Sequence, residues 1–319
     1  RGELCDGDLL GELTCSDLDP ATVGTPRCTA QCTVDLAPCT LPVSVEPVPE
    51  PQPDGETMGV GNVVGALDWQ RARDLAADDP RQAIARASGR IDYSDGGGSY
   101  RCSATLIAAD LLATNHHCAP DAAAAATVRF RAETETGGAG TLSFRCPELV
   151  FTDCGHDVSV LRCEREPYGD RLPGELYGWA PIALDPPAAG DRIDVIHTNC
   201  DYRDQGDPWC TPVKLVSPGR VSRYGAECIT FSGERTCGNC RSEVPHARHD
   251  ADTLGGSSGG GVFDAASHAL IGLNWGGVVA PDDTGGHNFF ASLGDLVDRN
   301  PQAAAVLRPL AEVAPEPEP

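Results

Sequence analysis

Apolar residues in the long central part of this sequence come in runs too short for helices. Ser103–Ala108, Thr127–Arg131, Val158–Arg162, Arg192–His197, Lys214–Val216, Gly261–Phe263 and Ala269–Asn274 hold three to six residues each, and Gly, Asp or Pro interrupts the chain between them. Runs of this kind fit half-buried strands, and many at this spacing argue an all-β sandwich or barrel. Helical signals are confined to Asp68–Ala76, ahead of the strands, and to Leu293–Asp298 and Pro301–Leu310 at the end. No internal repeat is visible. No run approaches the roughly 18 apolar residues of a membrane-spanning helix.

Cysteine usage adds a compartment. The 319 residues include 15 cysteines, which a reducing cytosol would leave without structural purpose, so an oxidising, extracellular setting is expected. Five of them (Cys5, Cys15, Cys28, Cys32 and Cys39) lie in residues 1–40, an acidic, turn-rich block. That block has too few large apolar side chains for a core, so disulfides would have to hold it together. The other ten lie between Cys102 and Cys240. Ten can pair internally and five cannot. With Arg1 in place of a start methionine, the odd number suggests a sequence that begins inside a longer precursor. Residues 41–56 are rich in Pro and Glu and read as an extended linker. The expected organisation is a disulfide module at 1–40, a linker at 41–56, a main domain at 57–310 and an acidic Pro-rich tail at 311–319.

The formal net charge is −23. An acidic surface repels phosphate, which argues against nucleic acid as a partner and against binding to anionic membranes.

Three segments carry chemistry. The first, Cys102 to Cys118, reads strand, turn, strand, then Thr114-Asn-His-His-Cys118. Its two cysteines flank a hairpin, so a Cys102–Cys118 disulfide is the bridge expected to staple it. The second is Gly155-His-Asp-Val-Ser-Val-Leu-Arg-Cys163, with an aspartate at the mouth of a strand. The third, Asp252 to Phe263, sets Ser257 and Ser258 among glycines before a strand. A serine hydroxyl needs an adjacent imidazole to take its proton. The imidazole needs a carboxylate to fix its tautomer and stabilise its charged form. The oxyanion of the transition state needs backbone N–H groups already aimed at it.

These segments resemble trypsin-like serine peptidases, and the Thr-Asn-x-His form is especially similar to bacterial glutamyl-endopeptidase-like enzymes. Gly256-Ser-Ser-Gly-Gly260 resembles their serine loop, Asp157-Val-Ser-Val-Leu161 their aspartate strand, and Ile271-Gly-Leu-Asn-Trp-Gly-Gly277 the strand that pairs with the substrate backbone. The four occur in family order across about residues 75–310. The resemblance implies an all-β, trypsin-like double six-stranded β-barrel with a C-terminal helix, behind the small disulfide-rich module. It implies a secreted serine endopeptidase acting on protein or peptide substrates through an acyl-enzyme intermediate, with no cofactor and no metal, and with cell-surface attachment open outside the sequence. His117 matches the general base, Asp157 the orienting carboxylate and Ser258 the nucleophile. Gly256 and Ser258 match the oxyanion donors, and Asn274, Trp275 and Gly276 the substrate-pairing strand. Asp252, Thr253, Asn274 and His287 fall where the family lines its specificity pocket.

The sequence departs from the family in places. Ser257 stands where animal trypsins carry the aspartate that pairs with a new N-terminus, so that activation switch is not expected. Gly261 replaces a proline. Asn274 replaces the histidine of glutamate-specific members, which argues against glutamate recognition unless His287 substitutes. Asp252 either floors the pocket and selects Arg or Lys, or turns inward onto backbone N–H groups and leaves a neutral polar pocket.

Competing assignments are weaker. His116 is the alternative base and Ser257 the alternative nucleophile. The Gly-x-Ser-x-Gly pattern also occurs in α/β-hydrolases, but their triad runs Ser, acid, His, and only His268 and His287 follow Ser258. Cys237, Cys240, His246 and His249 have a zinc-like spacing that disulfides explain better in a cysteine-rich chain. Asp6 and Asp8 hint at calcium only as acidic turns do. The alternative function is a catalytically silent trypsin-fold binding or adhesion protein.

Overall fold

The computed structural model describes residues 63–94, 98–132, 142–166, 169–199, 212–226, 244–278 and 286–312, with the backbone of 27–28 and 34–35. The chain forms two compact units, 1–56 with 136–142 and 57–135 with 143–319. In the first, β1 (Arg27–Cys28) pairs antiparallel with β2 (Val34–Asp35).

The larger unit begins with β3 (Gln70–Arg71), a 3-10 turn at Ala72–Asp74 and helix α1 (Arg81–Ala87). The helix expected over Asp68–Ala76 is therefore a strand and a turn. Tertiary pairing decides this: Gln70 and Arg71 lie opposite Val216 and Leu215, and Trp69 is fully buried.

Seven strands follow: β4 (Ser88–Ser94), β5 (Ser99–Leu106), β6 (Leu111–Thr114), β7 (Arg129–Arg131), β8 (Phe144–Arg145), β9 (Glu148–Asp153) and β10 (Val158–Arg162). They form one antiparallel sheet in the order β8-β7-β4-β5-β6-β10-β9. Helix α2 (Ala122–Ala125) lies within this half, and α3 (Pro173–Tyr177) follows it. The second half contains β11 (Arg192–Asn199), β12 (Val213–Ala226), β13 (Pro245–His249), β14 (Gly261–Asp264), β15 (Leu270–Val278) and β16 (His287–Ser292). Their order is β11-β14-β15-β16-β13-β12, and β11 pairs back onto β12. Closure leaves this six-stranded barrel without free edges; β3 lies against β12 outside it. The fold is the trypsin-like double barrel, with one closed barrel and one open, half-closed sheet.

Two apolar clusters explain the arrangement. Ile193, Val195, Val221, Val262 and Phe290 fill the closed barrel. A larger cluster joins Leu111, Val158 and Val160 of the first sheet to Ile196, Phe263 and Trp275 of the second, and continues under α4 (Leu293–Arg299) and α5 (Pro301–Glu312) through Leu296, Val297 and Leu307. Burying these apolar faces holds the two halves together. Helix α5 runs two residues into the stretch assigned to the tail. Among the described residues no helix is long and apolar enough to cross a membrane.

Candidate active site

The histidine segment is fixed by its neighbours. β6 ends at Thr114, and His116–Cys118 form a single 3-10 turn. Cys118 is disulfide-bonded to Cys102 at the centre of β5. A second bond, Cys146–Cys163, ties the start of β9 to the end of β10; its spacing carried no sequence signal that separated it from other pairings. Cys237 and Cys240 of the zinc-like pattern lie outside the described residues. His246 and His249 lie on β13, where His246 packs edge-on to Trp275.

His117 Nδ1 lies 2.7 Å from Asp157 Oδ2, and the His117 N–H donates to Asp157 Oδ1 at 2.9 Å. Asp157 is buried at 1% exposure, whereas the His117 side chain is 29% exposed. Asp157 has φ +56°, a conformation that costs an L-residue roughly 1–2 kcal/mol. Asn115 Nδ2 holds it there by donating to the Asp157 carbonyl at 2.8 Å. A buried carboxylate on Nδ1 sets the proton on that nitrogen and leaves Nε2 as the basic atom. His116 turns elsewhere, with Nδ1 2.7 Å from Thr152 Oγ1.

Ser258 is half-buried in the loop before β14. The Ser103 N–H donates to the Ser258 carbonyl at 2.6 Å, and Ser103 Oγ donates to the Gly256 carbonyl at 2.9 Å. Gly259 explains the close approach. It has φ +79°, and a Cβ there would lie 2.2 Å from Ser103 O and 2.4 Å from Thr114 Oγ1. The serine loop therefore seats directly on β5 and on the residues leading into His117. Among the described residues, no acceptor takes the Gly256 or Ser258 N–H, and Ser258 Oγ makes no hydrogen bond to His117. Gly256 has φ +99°. Catalytic hydrogen bonds in ligand-free enzymes are often long and tighten on the substrate.

A model of the trypsin-like peptidase domain matches residues 102–273, just over half of the chain. The matched stretch runs from Cys102 past His117, Asp157 and Ser258 into β15. The chain belongs to the trypsin-like peptidase family. It is a serine-type peptidase, a hydrolase whose substrates are peptides. Among solved structures it is similar to the thermostable serine protease AL20 from an extremophilic microorganism, at 19% identity over 70% of this chain and 98% of that one, with a TM-score of 0.50. It is also similar to the protease Anisep from Arthrobacter nicotinovorans (15% identity, 69% and 96% covered, TM-score 0.49). A Glu endopeptidase matches at 18% identity, with 76% and 99% covered and a TM-score of 0.45. The AL20 likeness is one of fold. No curated protein matches.

Two side chains expected near the pocket are turned inward in this trypsin-like peptidase. Asp252 follows the inward of its two expected courses. It is 1% exposed, and its two oxygens accept from the Val64 N–H at 2.8 Å and the Asp68 N–H at 3.0 Å. Burial holds its pKa above the ordinary carboxylate range. The Asn274 side chain is also turned inward. Its Oδ1 lies 3.1 Å from His249 Nε2, and its Nδ2 donates to the Ser257 carbonyl at 3.4 Å. Thr253 is fully buried, and His287 stands half-buried, edge-on to Phe289. Asn274 and Gly276 lie opposite Phe290 and Phe289 of β16 with Trp275 bulged between them, and beyond the β14 pair Gly261–Leu273 the Asn274 N–H donates to the Gly260 carbonyl while its own carbonyl accepts from the Gly259 N–H.

Sequence reasoning missed the support under the serine loop. Ser257 Oγ lies 2.9 Å from His197 Nδ1, accepts from the Leu254 N–H at 3.0 Å and accepts from Asn199 Nδ2 at 3.2 Å. His197 is fully buried, which lowers its pKa to about 3 and keeps it neutral. Trp69 meets it edge-on at 5.8 Å. The segment 64–69 thus braces the loop from Asp252 to Ser257 at both ends. Neither His197 nor Trp69 lies in a motif, so only the tertiary contacts reveal them.

Proposed function

We propose that this peptidase is a secreted endopeptidase that cleaves peptide bonds through an acyl-enzyme on Ser258. His117 Nε2 takes the Ser258 hydroxyl proton as Oγ attacks the scissile carbonyl, then returns it to the leaving amine. Asp157 holds the imidazole and stabilises its protonated form. The N–H groups of Gly256 and Ser258 receive the oxyanion. Asn274 to Gly276 pair with the substrate backbone by strand addition. The observation that carries the reading is the bidentate grip of buried Asp157 on the His117 N–H and Nδ1. Secretion is supported by the disulfides Cys102–Cys118 and Cys146–Cys163. The proposed organisation is a catalytic domain at 57–310 behind a disulfide module at 1–40 and a linker at 41–56.

With Asp252 and Asn274 turned inward and Thr253 fully buried, the primary pocket is proposed to be neutral, with His287 at its lining. Small or polar neutral side chains then fit better than Arg or Lys. A fluorophosphonate probe should label Ser258 in the parent. Ser258→Ala should abolish labelling and lower turnover on the order of 10⁶-fold while leaving the fold intact. A folded Ser258→Ala protein that hydrolyses peptides near the parent rate would refute the assignment and favour another nucleophile. A parent that neither labels nor cleaves would favour the silent binding protein.

A further inference from the structure

His156 precedes Asp157 in the turn between β9 and β10 and takes no part in the mechanism above. It is 2% exposed. Its Nδ1 lies 2.9 Å from Asp153 Oδ1, and its Nε2 lies 2.9 Å from Asp295 Oδ2. The His156 N–H also donates to Asp153 Oδ1 at 2.8 Å. Asp153 belongs to β9 and Asp295 to the first turn of α4, 139 residues further along the chain. Each carboxylate has one more partner: Asn300 Nδ2 donates to Asp153 Oδ2 at 2.8 Å, and Arg299 Nε donates to Asp295 Oδ1 at 3.0 Å. Burial, and after it the Asp295 charge, raise the pKa of Tyr224 on β12.

A neutral imidazole has one N–H and one lone pair. Between two carboxylates it would satisfy one and set its lone pair against the other. Only the doubly protonated ring donates to both. Hydrogen bonds from His156 and Asn300 hold the Asp153 carboxyl below its ordinary range against the opposing effect of burial.

We infer that His156 is a positioning residue of the peptidase, an imidazolium that clamps the Asp157 turn to the C-terminal helix α4. The inference rests on the proposed role of Asp157. That residue sits in the left-handed region and is gripped by His117 and Asn115 from one side. The clamp holds the preceding residue from the other side. Loss of the cation leaves Asp153 and Asp295 facing one another, so α4 and the turn separate and the carboxylate beneath His117 drifts. Displacing a catalytic group by about an ångström costs on the order of 10²-fold in rate.

The test compares His156→Gln, Asp295→Asn and the double variant with the parent. Glutamine can donate to one carboxylate only, and it carries no charge. His156→Gln is expected to lower kcat about 10- to 100-fold with KM within about twofold, and to shift or broaden the downfield proton resonance of the His117–Asp157 hydrogen bond. Asp295→Asn lowers kcat less. In the double variant the charge conflict is relieved, so kcat recovers part of the His156→Gln loss, a non-additivity that marks direct coupling. A folded His156→Gln protein with parental kcat and an unshifted resonance would overturn the inference. If His156→Gln does not fold, Asp295→Asn carries the test, and parental kcat with an unshifted resonance in that variant overturns it equally. Failure of the triad itself shows separately, as a Ser258→Ala protein that remains active.

Discussion

Asp252→Ser separates support of the serine loop from choice of substrate. The carboxylate accepts the Val64 and Asp68 amides at 2.8 and 3.0 Å, and a serine hydroxyl is too short to reach them. A buried donor left without an acceptor costs about 1–3 kcal/mol. Both amides belong to a partly exposed segment that water can reach, so the low end applies to each, and the total loss is about 2 kcal/mol. In a domain of this size that lowers Tm by about 4–8 °C. The pH dependence has a definite sign. Burial raises the Asp252 pKa in the folded state, so the native protein binds that proton more tightly than the unfolded chain does. Its contribution is therefore fully present below the ordinary carboxylate pKa and declines as pH rises through the raised value. The parent's advantage over Asp252→Ser should therefore be smaller at about pH 7 than at about pH 4. Urea denaturation at both pH values measures this, and a peptide-library digest read by mass spectrometry gives the cleavage profile. The profile of the folded variant should match the parent's. Selective loss of cleavage after Arg and Lys, with unchanged stability, would show that Asp252 faces the substrate and refute the reasoning.

Three further outcomes are expected. His197 and His249 are buried and neutral, with pKa values of about 3 and about 4; their stabilisation is complete above about pH 6.5 and falls as pH drops, by up to about 1.4 kcal/mol per pH unit for each. A urea midpoint that does not fall between pH 7 and pH 4.5 would contradict this. Replacing Cys102 and Cys118 by serine opens a loop with a sequence separation of 16 and should cost about 3 kcal/mol, read by the same denaturation assay; unchanged stability would argue that the denatured chain gains no freedom. Gly259→Ala sets a methyl group 2.2 Å from the Ser103 carbonyl at φ +79°, so fluorophosphonate labelling should fall steeply; parental labelling would mean that the serine loop can shift without loss of function.

Much of the proposed site was legible because its chemistry is local. Thr114-Asn-His-His-Cys118, Asp157 before a strand and Ser258 among glycines are short segments whose residue types follow from the reaction. Asn115 lay inside one of them, and its role as a brace for Asp157 needed only the fold to appear. The short punctuated runs likewise pointed to the all-β class, since runs of three to six residues between Gly, Asp and Pro suit strands and are too short for helices. The expected helix over Asp68–Ala76 failed for the opposite reason. Its local preference gave way to the pairing of Gln70 and Arg71 with β12 and the burial of Trp69.

Side-chain direction inside the barrels was not in the sequence. Whether Asp252 met a substrate or the Val64 and Asp68 amides depended on a segment 184 to 188 residues away. Asn274 lies on β15, the strand proposed to pair with substrate, yet its amide turned to His249, 25 residues upstream. His156 between Asp153 and Asp295 was invisible for the same reason. The sequence by itself determined the strand class and the residue types of the proposed reacting centre, because these depend on composition and nearest neighbours. Only the tertiary structure decided which buried polar groups face one another, because each such group must find a partner once water is excluded, and closing the barrels determines which partners come within reach.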